Sequence, residues 1–167
     1  PDSRDLQAKA PCLDLLSGPQ GETVARVVED HDYFWLLPRL LKKATTPEGL
    51  FLQGENRLVL RQYAQAAQSF VQVLQHPKAS GDLKKRAAIQ AGVAELSRKR
   101  TQQAHTWWRW ISSQDNIFYP EVLWHQGKGD TLIQRYPEHP RVPDILAQRL
   151  DRAVIAQDSQ RIQQWSQ

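Results

Sequence analysis

Apolar residues recur along this chain at three- and four-residue steps, with polar residues filling the gaps. Val24, Val27 and Val28 begin the pattern, and Tyr33, Phe34, Trp35, Leu36 and Leu37 lead into Leu40 and Leu41. Such steps gather side chains on one face of a 3.6-residue helix, whereas a strand alternates every second residue. Pro38 lies inside the second stretch, so a helix there begins near Leu36 or bends. Thr46-Pro47-Glu48 is a helix start signal, and Leu50, Phe51, Gly54 and Leu58 follow on one stripe. A second stripe runs through Tyr63, Ala66, Ala67, Phe70, Val71, Val73 and Leu74 and stops at His76-Pro77. After Ser80-Gly81-Asp82, read as a turn, come Leu83, Ala87, Ala88, Ile89, Gly92, Val93 and Leu96, then Ala104, Trp107, Trp108 and Ile111. A polar break spans 112–116. Beyond it lie Pro120 to Trp124, a turn at Gly127-Lys128-Gly129-Asp130, a short Leu132-Ile133 segment and a corner at Pro137, Pro140 and Pro143. A closing helix is predicted from about Asp144 to Trp165. No stretch holds a period of two for long, and β-branched residues are nowhere concentrated, so the predicted fold class is all-α.

The stripes also repeat. Gly54 and Gly92, Ala66 and Ala104, and Phe70 and Trp108 each stand 38 residues apart. Antiparallel helices approach closely where small side chains face each other, and an aromatic one turn after the alanine is expected to fill space toward the next pair. Gly54, Tyr63, Ala66, Phe70 and Pro77 resemble the tetratricopeptide repeat signature of bacterial proteins, and Gly92, Ala104 and Trp108 resemble a second, looser copy. The second copy exceeds the usual 34 residues by four, assigned here to the turn at 78–81. Where the family carries Leu before the Gly, this chain has Gln53 and Ala91; where it carries a later Tyr, this chain has Arg57 and Glu95. The expected organisation is an irregular arm over 1–21 and one helical-repeat domain over 22–167. Its best repeats are 47–78 and 83–114, with degenerate flanking pairs at 22–45 and 119–165.

Composition narrows the chemistry. With 167 residues, 40% of them hydrophobic, the chain is long enough to build a core without staples. A single cysteine, Cys12, excludes an internal disulfide and any multi-thiolate metal site. A mean hydropathy of −0.62 and no long apolar run exclude a transmembrane helix. Pro1 at the start and the absence of methionine point to a trimmed or excised chain. Fourteen Arg and twenty Gln against eight Lys suit a bacterial source, and the lone Cys12 with the Tyr136-Pro137-Glu138-His139-Pro140 corner slightly favours the periplasm over the cytoplasm.

No catalytic constellation emerges. The five histidines, at 31, 76, 105, 125 and 139, include no pair at helical ligand spacing, and Glu29-Asp30-His31-Asp32 reads as a solvated turn. Gly127-Lys128-Gly129 lacks the strand and spacing of a phosphate loop. Ser112 and Ser113 lack the strand-to-helix elbow of a hydrolase nucleophile. A non-enzymatic module without cofactors or metal is expected.

The resemblance implies a concave groove lined by the first helix of each pair, binding another protein's peptide or helix. Phe51, Glu55 and Leu58 with Arg86, Ile89, Val93 and Leu96 are the residues it assigns to that groove. On a helical wheel, Ala104, Trp107, Trp108 and Ile111 share the core side, and Trp110 sits at its edge as a further contact candidate. The competing reading is a nucleic-acid-binding helical domain using Lys84-Lys85-Arg86 and Arg98-Lys99-Arg100, although a net charge of +4 is modest for that role.

Overall fold

Every regular element is a helix among the residues described by the computed structural model, which are 21, 23–25 and 37–165. The arm over 1–21, Cys12, the acid–histidine cluster at 29–32 and most of the 22–45 pair lie outside them, apart from the positions just given. The helices are α1 (Leu37–Leu40), α2 (Pro47–Val59), α3 (Tyr63–Gln75), α4 (Gly81–Ser97), α5 (Thr101–Trp108), α6 (Tyr119–His125), α7 (Gly129–Arg135) and α8 (Val142–Trp165). The chain divides into two compact units, Pro1–Ser112 and Ser113–Gln167. The boundary falls at the polar break 112–116, where the sequence offers no apolar side chain to bury.

In the first unit, α2 and α3 form one antiparallel hairpin and α4 and α5 a second. α3 packs on α4, and α2 also touches α4. Thr46 begins α2 by accepting from the Gly49 N–H at 3.1 Å, and Ser80 begins α4 by accepting from the Leu83 N–H at 3.2 Å. Beneath α2, the side chains of Ala25, Leu37, Leu40, Leu41 and Leu52 bury one another.

The seam of each hairpin is built around its glycine. The Phe70 ring lies directly on Gly54, so that a Cβ there would stand 2.5 Å from Phe70 Cε1. The Trp108 indole lies on Gly92 in the same way, 2.5 Å from ring atom Cε2 to that hypothetical Cβ. Phe70 is wholly buried and Trp108 is 3% exposed. The expected division of labour, with the aromatic turned toward the following pair, is thus corrected. The ring caps its own hairpin's glycine, and the missing Cβ is the space that the ring occupies.

Both first helices also end alike. In the first hairpin the Gln62 N–H donates to the Arg57 carbonyl at 2.8 Å and the Arg61 N–H to that of Leu58 at 2.9 Å. In the second, Arg100 donates to Glu95 at 2.9 Å and Lys99 to Leu96 at 2.8 Å. This is the paired bonding of a Schellman corner, which requires one residue in left-handed conformation. Arg61 and Lys99 occupy that position, at φ 58° and 62°. A side chain costs about 1 kcal/mol there relative to glycine. Lys99→Gly is therefore expected to raise the urea midpoint of unfolding, by about 1 kcal/mol of stability; a lowered midpoint would contradict the corner.

The two caps locate the four extra residues. The N-caps Thr46 and Ser80 are 34 residues apart, whereas the C-caps Leu60 and Arg98 are 38 apart. The insertion is one additional helical turn at the start of α4, which has 17 residues against 13 in α2, and does not sit in the turn at 78–81. Ser80 is a strong cap and Asp82 favours a first helical turn, so Ser80-Gly81-Asp82 begins the helix instead of preceding it.

The second unit uses shorter pieces. α6 and α7 meet at a third corner of the same bonding, Lys128 to Leu123 at 2.9 Å and Gly127 to Trp124 at 3.0 Å, this time with Gly127 at φ 70°. Leu123, Leu132, Val142 and Ile145 form its core, with Tyr119, Trp124, Ile133 and Tyr136 partly buried around them. From Leu146 to Gln157 every residue of α8 is exposed.

Candidate functional site

A chain of polar side chains crosses the first hairpin. Arg57 donates to the Ser69 hydroxyl at 2.6 Å, Ser69 donates to Gln53 Oε1 at 2.9 Å, and Gln53 Nε2 donates to the Leu41 carbonyl at 2.6 Å. Ser69 is fully buried and Gln53 nearly so. Burial of the Arg57 guanidinium lowers its pKa from the ordinary arginine value. The chain ties α2 to α3 and both to the end of α1, a structural role that Gln53 fills where the repeat signature carries leucine. Ser69→Ala would leave buried Gln53 Oε1 without its donor. A loss of about 2 kcal/mol in urea unfolding is expected; an unchanged midpoint would remove the network from the stability of the hairpin.

The residues assigned to a groove divide by depth. Phe51 and Ile89 are each 5% exposed. Phe51 meets the Phe70 ring edge-on at 5.5 Å between centroids, and the Ile89 carbonyl accepts from Trp108 Nε1 at 3.2 Å. These two belong to the packing beneath the surface and correct the assignment at their positions, because large apolar side chains on the first helices turn toward the seam. Glu55, Leu58 and Val93 are half-buried, Arg86 is exposed and Leu96 is 38% exposed. The guanidinium of Arg86 lies 4.8 Å above the Phe51 ring, which joins α4 to α2. Val59 and Leu60, which the sequence reading passed over, are 68% and 48% exposed beside Leu58. Trp110 is 59% exposed but follows the end of α5, on neither first helix. Ala104, Trp108 and Ile111 are buried and Trp107 is half-buried.

The basic clusters stand at opposite ends of α4. Half of their cations are engaged. Lys85 lies 3.9 Å from Asp82, Arg86 covers Phe51 and Arg98 holds Glu95 at 2.8 Å.

Glu95 was legible in the sequence only as a departure from the repeat signature. In the structure it is 6% exposed and faces a cleft of about 500 Å³ between α3 and the corner joining α4 to α5. Ala67, Gln68, Val71 and Gln72 line one wall, and Glu95, Arg98 and Arg100 the other. Arg98 donates to Glu95 Oε1, while Oε2 is buried without a hydrogen-bond partner. The equivalent residue of the first hairpin, Arg57, is satisfied by Ser69 on α3; position 107 holds tryptophan in place of such a serine.

A second cleft, of about 410 Å³, lies in the other unit beside Asp130, whose carboxylate is already bound by Arg149. Nearby, His139 stands 3.4 Å from Glu121, and the Arg141 guanidinium lies 5.3 Å from the Trp124 ring centre. Burial lowers the His125 pKa; Glu121 opposes the shift and Arg141 adds to it. The unfolded chain then takes up a proton more readily than the folded one, so this contribution favours folding above the ordinary histidine value and fades as pH falls below about 6.5. Trp124 fluorescence is expected to report a less stable second unit at pH 5 than at pH 7, with His125→Gln reducing the difference. An unaltered difference in His125→Gln would assign the pH dependence to other groups.

No group of three or more His, Cys, Asp or Glu side chains among the described residues is arranged to hold a metal ion, and no helix among them is long and apolar enough to cross a membrane. Comparison of the chain with protein-family models, with curated proteins and with solved structures gives no match in any of the three.

Proposed function

We propose that the first unit is a non-enzymatic protein-interaction module of tetratricopeptide-like design, which holds a peptide or helix of a partner protein along α2 and α4. The observation that carries the reading is the pairing of these two helices. They lie side by side, joined by Arg86 over Phe51, and carry leucine at equivalent places near their ends, Leu58 and Leu96, 38 residues apart. Val59 and Leu60 extend the apolar surface beside Leu58, and Glu55 and Arg86 supply opposite charges. An apolar strip with charged edges suits an amphipathic segment. Ordering such a segment opposes binding, so dissociation constants on the order of micromolar are expected. The step from paired helices to peptide capture rests on likeness of architecture.

The test compares the wild-type chain with Leu58→Glu/Leu96→Glu as affinity baits, after confirming equal helical content. Partners retained only by the wild type support the reading. Equal capture by both baits overturns it. Capture abolished by nuclease and by moderate salt would instead favour nucleic acid bound at 84–86 and 98–100.

A further inference from the structure

The last helix carries an apolar face that its own unit leaves uncovered. Leu146, Leu150 and Val154 are 50%, 66% and 50% exposed. They stand at four-residue steps on α8, and on a helical wheel they fall within about 80°. Ala147 and Ala153, both exposed, border them and widen the stripe to about 120°. The α8 residues that enter the core of the unit, Val142 and Ile145, lie on another side of the helix. From Leu146 to Gln157 no side chain of α8 is buried. Helices in proteins are held mostly by the packing of an apolar face, and here that face has nothing of its own unit to pack on.

The two edges of the stripe carry opposite charges, and these select what can lie against it. Arg149 and Asp151 stand about 100° to either side of Leu150. In a two-fold pair of parallel helices, the Arg149 edge of one copy meets the Asp151 edge of the other. In an antiparallel pair each edge meets its own counterpart, so that Asp151 faces Asp151 and Arg149 faces Arg149. Arg149 gives Asp130 one hydrogen bond, from Nη2, and its side chain is 44% exposed. Its guanidinium therefore keeps donors for a second carboxylate. The parallel arrangement also sets Leu150 against Leu150 and Val154 against Val154, while the small alanines let the backbones approach. We propose that α8 pairs in parallel with the α8 of a second copy of this chain, through Leu146, Leu150 and Val154. Three large side chains from each copy make a small interface, so the dimer dissociates at about 0.1 mM.

Sedimentation equilibrium of the full chain, from about 10 µM to about 1 mM, is expected to show monomer passing to dimer. Leu150→Glu is expected to weaken the dimer about tenfold or more. Because Leu150 is 66% exposed, that variant should keep the helical content of the wild type. Orientation is read by oxidative cross-linking of Leu146→Cys and of Val154→Cys, each combined with Cys12→Ser. Both are expected to form self-linked dimers. The two positions lie about 12 Å apart along the helix, so an antiparallel pair can bring only one of them to its own counterpart. Leu58→Glu/Leu96→Glu is expected to dimerise as the wild type does, so this proposal stands or falls apart from the peptide reading. A wild-type chain still monomeric at about 1 mM, a dimer undiminished in Leu150→Glu, or self-linking at fewer than both cysteine positions overturns it.

Discussion

Replacing Gly92 by alanine is expected to destabilise the first unit by about 3 kcal/mol, although alanine is the better helix former by about 1 kcal/mol. Gly92 lies within α4, where propensity alone would predict a gain. The added Cβ would run into Trp108 Nε1, and the indole cannot turn aside without giving up its bond to the Ile89 carbonyl. Gly81, at the start of the same helix, has nothing within 4 Å of such a Cβ and serves as the control. Gly81→Ala is expected to leave stability nearly unchanged. The clash also predicts a rescue: Gly92→Ala/Trp108→Leu removes the obstructing ring, and a double-mutant cycle should give a favourable coupling above 1 kcal/mol. Denaturation that finds Gly92→Ala more stable than the wild type would mean that the indole does not rest on the glycine.

Phe70→Ala is expected to cost more, about 4 kcal/mol. Phe70 is fully buried, faces the edge of Phe51 and covers Gly54, whose lack of a side chain leaves nothing nearby to fill the vacancy. For a unit of this size about 4 kcal/mol is close to the whole stability, so the hairpin pair should melt at or near room temperature. Phe70→Leu keeps most of the volume and is expected to cost less than half as much. Thermal unfolding followed by circular dichroism separates the outcomes. A loss below 1 kcal/mol in Phe70→Ala would show that the seam is held elsewhere.

Much of the fold was legible because helix packing writes itself into spacing. Gly54, Phe70, Gly92 and Trp108 stand in register by residue type alone, and the wheel puts Trp107, Trp108 and Ile111 on the core side and Trp110 at its edge, where the structure buries Trp108 and Ile111, half-buries Trp107 and exposes Trp110. The direction of the rings was not legible, since spacing gives the level of a side chain along a helix but not which neighbour it covers. Corners were read only where glycine marks them. Gly127 was recognised as a turn, whereas Arg61 and Lys99, in the same conformation, carry no such mark because their surrounding hydrogen bonds impose it. The Gln53–Ser69–Arg57 chain and the unpaired oxygen of Glu95 were invisible for a simpler reason. Their partners, or the lack of them, depend on residues 12 to 16 positions away in the first case and on the neighbouring helix in the second.

The extra turn of α4 bears on how such a chain can change over evolutionary time. Each hairpin is fixed at the far end of its first helix, by the left-handed corner and the ring on the glycine, while the near end opens on a hydroxyl cap that any serine or threonine can provide. Insertions of one whole turn can therefore accumulate at helix beginnings without breaking the match between neighbouring hairpins. Copies of unequal length can then coexist in one chain, and duplicates remain structurally equivalent long after their letters have stopped aligning from the first residue.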